Sequence, residues 1–214
     1  MPWYPGPIPD SQITERLQFV PLTEELVDAD LAAVMASREY LRHWSDSPWP
    51  EDDFTRADNE EDLRDHRLEH EDGVAFTYSV LASDVDEGRV VGCIYIRPLV
   101  DALQTRDVDV STVAVLTSAA GIAPGAAVVR GWIRSDEPAG RLDVLVATSI
   151  GWLTGDAWGF PDVWWMASSA VPDQLEACAH AGLTRAVSVP SASSATGITW
   201  ELRAAGRIGA NGET

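Results

Sequence analysis

The chain switches repeatedly between apolar residues spaced two apart and apolar residues spaced three or four apart, and these two periods predict its elements in order. After a proline-rich stretch, Met1 to Asp10, the run Arg16 to Pro21 reads as a short strand. Thr23 then stands as an N-cap, with Glu24 and Glu25 in the first turn of a helix whose apolar stripe is Val27, Leu31, Val34 and Met35. A segment rich in Trp, Pro and Asp follows and reads as a loop carrying Trp44, Trp49 and Phe54. Thr55 and Asp58 have capping-box spacing and open a polar helix running to about Glu71, with Glu60 and Arg64 set to pair one turn apart. Val74, Phe76, Tyr78 and Val80 alternate as a strand, an acidic turn from Ser83 to Gly88 reverses the chain, and Val90 to Ile96 is apolar enough for a strand buried on both faces.

Leu99 to Gly125 shows no clear period, although Val108 to Leu116 has the composition of a strand. Val128 to Arg134 reads as a strand. Leu142, Leu145, Val146, Ser149, Ile150 and Leu153 form a helix stripe entered through Pro138 and Gly140, and Val163 to Met166 completes a strand–loop–helix–strand unit. A second helix, Asp173 to Ala181, ends at Gly182, where a left-handed cap costs little, and strands near Thr184 to Val189 and Ile198 to Leu202 close the pattern. No repeat or linker interrupts it. The expected layout is a proline-rich arm (1–12), one domain (13–204) and a fraying tail (205–214) with three glycines after Arg203.

A chain of 214 residues with 45% hydrophobic and 23% charged residues can bury one sizeable core. Charge changes the picture more. Thirty-four acidic residues face 15 basic ones, every one of them Arg, for a net charge of −19. Such a surface repels polyanions, so nucleic acid is not an expected partner; the surplus suits a cationic or amine substrate, a salt-rich cytoplasm or a GC-rich coding bias, and net charge alone does not choose among them. The first ten residues lack the basic start of a secretory signal, and no apolar run approaches the roughly 20 residues of a membrane span. Cys93 and Cys178 lie in separate apolar runs, which implies reduced core thiols in a cytoplasmic protein rather than a disulfide framework.

The element order, with the opening "ITERLQFVPLTEELVDADLAAV", the hairpin "FTYSVLASDVDEGRVVGCIYI", the core "VVRGWIRSDEPAGRLDVLVATSIGWL" and the helix ending "CAHAGLTRAV", resembles the GNAT N-acetyltransferases over Ile13 to Arg203. The resemblance implies an α/β fold with a central mixed, mostly antiparallel sheet of six to seven strands flanked by about four helices. It also implies an enzyme that moves an acetyl group from acetyl-CoA directly to a primary amine on a small molecule or a protein N-terminus, acts away from membranes, and leaves room for a homodimer. In that family the strand before the long helix and the loop at its mouth hold the co-substrate, because backbone N–H groups at a helix N-terminus attract pyrophosphate. Carried onto this chain, the contacts are Ile133, Arg134, Ala139, Gly140, Arg141 and Leu142, with the Arg141 side chain set to pair with phosphate.

The loop also departs from the family pattern of Gln or Arg, two residues, Gly, one residue, then Gly or Ala. Here it reads Glu137, Pro138, Ala139, Gly140, Arg141, Leu142, so only Gly140 matches, and Glu137 sets an anion where phosphate approaches. The late-helix Tyr that commonly protonates the leaving thiolate falls on Cys178, which the resemblance adds to the cofactor contacts. Trp44, Trp49 and Phe54 occupy the family's acceptor wall, and no general base stands out. A catalytically degenerate scaffold that binds a ligand or a protein partner is therefore the alternative. One further motif competes: His66, Glu69 and His70 match H-x-x-E-H, a zinc-hydrolase signature, but on a polar helix with no third ligand apparent, so no metal is expected.

Overall fold

The computed structural model describes residues 3–84, 88–106, 108, 112, 115, 118–190 and 197–206. Its elements follow the order β1 (Gln12–Ile13), β2 (Leu17–Pro21), α1 (Val27–Ala36), α2 (Arg38–Ser45), α3 (Arg56–Glu71), β3 (Phe76–Ala82), β4 (Val90–Pro98), α4 (Leu99–Gln104), β5 (Ala127–Ile133), α5 (Arg141–Thr154), β6 (Val163–Ser168), α6 (Pro172–His180), β7 (Arg185–Pro190) and β8 (Thr199–Ala204). They form one sheet in the order β1-β2-β3-β4-β5-β6-β8-β7, parallel only between β5 and β6. This is the mixed, mostly antiparallel sheet expected, with eight strands among the described residues instead of six to seven. The two-residue β1 is unanticipated; it pairs with β2 through Gln12 and Ile13.

Strand alternation sends successive side chains to opposite faces, and each face is covered by helices. Val91, Ile94, Ile96, Val129 and Trp165 pack under α5 and α6, while Val90, Cys93 and Trp132 pack under α1, α2 and α3. The proline-rich arm is not loose. Tyr4 donates to the Trp158 carbonyl (3.0 Å), Tyr78 donates to the Pro9 carbonyl (2.6 Å), and Trp3 stacks on Phe160.

Several local expectations need correction. Thr23 makes no side-chain cap; a short 3-10 turn, Glu24–Leu26, leads into α1 instead. The loop expected before Thr55 contains α2, whose apolar residues Tyr40, Leu41 and Trp44 sit at helical spacing among charged ones. Glu60 pairs with Arg56 rather than Arg64, which leans toward Glu24. The Thr55–Asp58 capping box and the Gly182 cap do form. The strand expected over Val108 to Leu116 lies mostly outside the described residues.

The buried stripe of α1 is Val27, Asp30, Ala33 and Val34, with Met35 exposed, because α3 lies beside α1 and offers Asn59 to Asp30 (3.0 Å). Burial pushes the Asp30 carboxyl up to about 6, against the opposing pull of the Asn59 hydrogen bond. A folded-state value above the unfolded one means the native state holds this proton more tightly. That contribution is complete below the ordinary carboxylate range and is lost as pH rises through about 6. Asp30→Asn, which removes the charge and keeps the shape, should leave stability unchanged near pH 4 and raise it at pH 8 by on the order of 2–3 kcal/mol. Urea unfolding at both pH values reads the difference, and equal destabilisation at both would contradict it.

Candidate active site

The parallel pair β5–β6 does not run its full length. Its register is Ala127 with Val163, Val128 with Trp164 and Val129 with Trp165, and there it stops, so Arg130 to Ile133 leave β6 behind. Arg134 donates its N–H to the Val91 carbonyl on the other side, toward β4. Strand alternation then turns the N–H groups of Gly131 and Ile133 toward the side that β6 has vacated. The sheet thus opens as a wedge at the C-terminal end of β5, the strand that feeds the loop and α5.

That loop borders an open cleft of about 530 Å³ lined by Tyr40, by Ile133 to Ser135, by the whole turn from Glu137 to Asp143, and by Asp173, Glu176 and His180 of α6. Gly140 is the N-cap of α5 in the left-handed region (φ 83°), a conformation that costs Gly nothing, and a Cβ built there would meet nothing within 4 Å. Arg141 donates to the Pro138 carbonyl and Val144 to the Gly140 carbonyl. Among the described residues the N–H groups of Ala139, Gly140, Leu142 and Asp143 have no backbone acceptor outside the helix. These orphan donors stand at the positive end of a fourteen-residue helix, a geometry that favours a negative charge.

Side chains at this mouth behave differently from expectation. Glu137 borders the cleft, but its side chain is 1% exposed and its charge is met by Arg89 and by Arg141 (3.3 Å). Arg141 turns inward with it, bonding the Arg16 carbonyl and Asp84 (both 2.8 Å), so its guanidinium is not free for phosphate. Arg134 is closed onto Asp136 by two bonds of 2.8 and 2.7 Å. The unpaired donors at this mouth are main-chain amides, and the Arg141 guanidinium is engaged within the protein instead of being set to pair with phosphate.

The Gly131 carbonyl is the junction of the site. It accepts from Trp44 Nε1 (2.9 Å) and from Gln174 Nε2 (2.8 Å), and the same Gln174 nitrogen donates to the Tyr40 hydroxyl (3.0 Å), while Gln174 Oε1 accepts from Trp165 Nε1 (2.9 Å). Gln174 is wholly buried, so this network fixes the wedge open at its root. Tyr40 and Trp44 are one turn apart on α2. Tyr40 lines the cleft at the mouth of α5, and Trp44 lines a second pocket on the other side of β5. Burial pushes the Tyr40 phenol well above the usual tyrosine range, with the Asp173 carboxylate adding to the effect. Cys178 is 1% exposed among core side chains, and burial pushes its thiol up to about 12; it lines neither cavity, which removes it from the expected contacts.

The second pocket, about 310 Å³, is walled by Trp44 and Trp49, with Asp62, His66, Tyr95, Arg97, Arg106 and Arg130 as its polar groups. Trp49 donates from Nε1 to Asp62 (3.2 Å). Burial raises the Asp62 carboxyl above the usual range, against the pull of that bond. Phe54 stands behind Trp49, edge-on to it, and borders an outer acidic groove instead of this pocket. His66 and Glu69 contact one another (3.3 Å), but Glu69 also accepts from Arg97 (2.6 Å), and His70 packs against Phe76 and Tyr78. Among the described residues no three His, Cys, Asp or Glu side chains are grouped to hold a metal ion.

Tyr40, Gln174, Asp62 and the pocket arginines were not legible as site residues. The one available signal was the Tyr40–Trp44 spacing in a stretch read as loop.

The architecture is that of known acetyltransferases. The chain aligns with RimL, a ribosomal L7/L12 alpha-N-protein acetyltransferase in complex with coenzyme A, at 13% identity, a TM-score of 0.61, and coverage of 92% of this chain and 96% of that one. It aligns with the ribosomal-protein-S5-alanine acetyltransferase of Vibrio fischeri at 15% identity, a TM-score of 0.63, and coverage of 91% and 94%. The microcin C7 self-immunity acetyltransferase MccE, in complex with acetyl-CoA and AMP, aligns at 9% identity, a TM-score of 0.64, and coverage of 92% and 96%. No protein-family model matches the chain, and no curated protein matches it in sequence. The fold is that of the GNAT acetyltransferases.

Proposed function

We propose that this chain is an N-acetyltransferase that binds acetyl-CoA in the cleft at the mouth of α5 and transfers its acetyl group to a primary amine held in the Trp44–Trp49 pocket. The observation that carries this reading is the wedge. β5 leaves β6 after Val129, and the open cleft beyond it ends on the unpaired amides around Gly140. Support also comes from solved acetyltransferases of the same fold that hold coenzyme A or acetyl-CoA.

When bound, the thioester supplies an acyl carbon that an amine can attack, forming a C–N bond as the C–S bond breaks. The residues then have separable tasks. The N–H groups of Gly131 and Ile133, facing the wedge, are oriented to steady the negative charge that develops on the acyl oxygen. Asp62, half-buried and made more basic by burial, is the group on the acceptor wall suited to take the proton released by the amine. Tyr40 keeps its proton throughout the physiological range and can deliver it to the departing sulfur, recovering it from solvent through the open cleft. That role replaces the one expected at Cys178.

Calorimetric titration with acetyl-CoA, followed by thiol-release assays over a panel of primary amines, tests the reading. Binding with turnover on one amine class is expected. Binding without turnover on any amine would favour the non-catalytic ligand-binding scaffold, and no binding would remove acyl transfer altogether.

A further inference from the structure

In a protein with this surplus of carboxylates, the acceptor-side pocket contains two guanidiniums that form no salt bridge among the described residues, although Asp46 lies near enough to Arg106 to act on it electrostatically. Among the described residues Arg106 makes no salt bridge, and Arg130, 7% exposed, makes only a hydrogen bond to the Trp44 carbonyl (2.7 Å). The Nε atoms of both are buried without a hydrogen-bond partner. Arg97, the third arginine of the pocket, is by contrast neutralised by Glu69 (2.6 Å).

Aromatic rings hold these two cations in place. Arg130 lies over Trp44 at 4.0 Å and over Trp200 at 4.8 Å, and Arg106 lies over the same Trp200 ring at 4.6 Å. Such contacts offset part of the desolvation cost, but burying a cation without a counter-ion costs several kcal/mol, more than one ring returns. The cost is visible at Arg106, whose guanidinium burial pulls down to about 10, with Arg97 adding to the effect and the Asp46 carboxylate opposing it. The pocket also holds a carboxylate, Asp62, bonded to Trp49 and one turn along α3 from His66. The pocket is thus polarised, cationic around Trp200 and anionic beside Trp49, with aromatic sides.

We infer that the acceptor is a small amine bearing a carboxylate close to its nitrogen, an α-amino acid in chemical class, whose carboxylate is held by Arg106 and Arg130 and whose amine faces Asp62. The word acceptor rests on the acyl-transfer reading; the polarity of the pocket does not. A volume of about 310 Å³ between indole walls suits an amino acid with an apolar or aromatic side chain.

Three probes of one shape separate the charges: L-phenylalanine, L-phenylalanine amide and phenethylamine, titrated into the protein by calorimetry with and without coenzyme A. A charge-assisted hydrogen bond to a carboxylate is worth roughly 1.5–3 kcal/mol, so the acid should bind about ten- to a hundredfold more tightly than the amide or the amine. Arg106→Gln, at a partly exposed position, should reduce acid binding to the level of the amide and leave amide and coenzyme A binding unchanged. Equal or tighter binding of the amide or phenethylamine, or no acid binding under either condition, would overturn the inference. Acid binding by a protein that fails to bind acetyl-CoA would retain the pocket's selectivity and sink only the acyl-transfer reading.

Discussion

Gly140→Asp is expected to lower acetyl-CoA affinity by at least about a hundredfold while leaving the protein folded. Gly140 caps α5 with φ 83°, and a side chain added there projects into the open cleft instead of the core. The substitution sets a carboxylate among the amides of Ala139, Leu142 and Asp143, where it takes their hydrogen bonds and repels a phosphate. Losing two charge-assisted contacts of roughly 1.5–3 kcal/mol each accounts for the expected factor. The left-handed backbone adds a strain of about 1–2 kcal/mol for a residue with a Cβ, within the stability of an ordinary domain. Gly140→Asn separates the two effects, since Asn carries the bulk without the charge and tolerates the left-handed region better than most residues. Calorimetry should show Asn well above Asp in affinity, with similar melting temperatures. Wild-type affinity in the Asp variant would mean that the ligand does not approach this turn.

Tyr40→Phe is the second large expectation: a fall in kcat of about a hundredfold, with acetyl-CoA affinity unchanged. Proton delivery by a positioned side chain typically contributes about 10²–10⁴-fold, and a thiolate, being a good leaving group, draws on the lower end. The phenol accepts a bond from Gln174, and Gln174 keeps its bond to the Gly131 carbonyl when the hydroxyl is removed, so the wedge keeps its shape. The loss of one hydrogen bond should cost only about 1 kcal/mol of stability. A purely structural role for Tyr40 predicts a different pattern, with affinity and melting temperature falling and kcat preserved in saturating substrate. The pH profile separates the two further: with Tyr40 protonated well beyond neutrality, the wild-type rate should not decline on the alkaline side through loss of this proton.

Much of the architecture was legible because periodicity survives one-dimensional reading. The Thr55–Asp58 box, the alternating hairpin and the stripe of Leu145, Val146, Ile150 and Leu153 each depend on neighbours a few residues away. What failed to read depends on distant partners. Asp30 occupies the buried side of α1 because Asn59 waits there, and the proline-rich arm is ordered because Trp158 and Tyr78 receive it. The site divides in the same way. Gly140 was visible as a glycine before a helix, and Trp44 and Trp49 as aromatic residues in a polar segment. The inward turn of Glu137 and Arg141 was not, since it requires Arg89 and Asp84 from the preceding hairpin. Tyr40 and Gln174 meet across 134 positions of sequence, which no local pattern encodes.

Nuclear magnetic resonance observes the main-chain donors at the entrance to α5 one by one. In a titration of ¹⁵N-labelled protein with coenzyme A, the amide signals of Ala139, Gly140, Leu142 and Asp143 should move downfield together and saturate along one binding curve. Saturable binding that leaves those four signals in place and moves others would show that the ligand sits elsewhere, and the acyl-transfer assignment would fall with it.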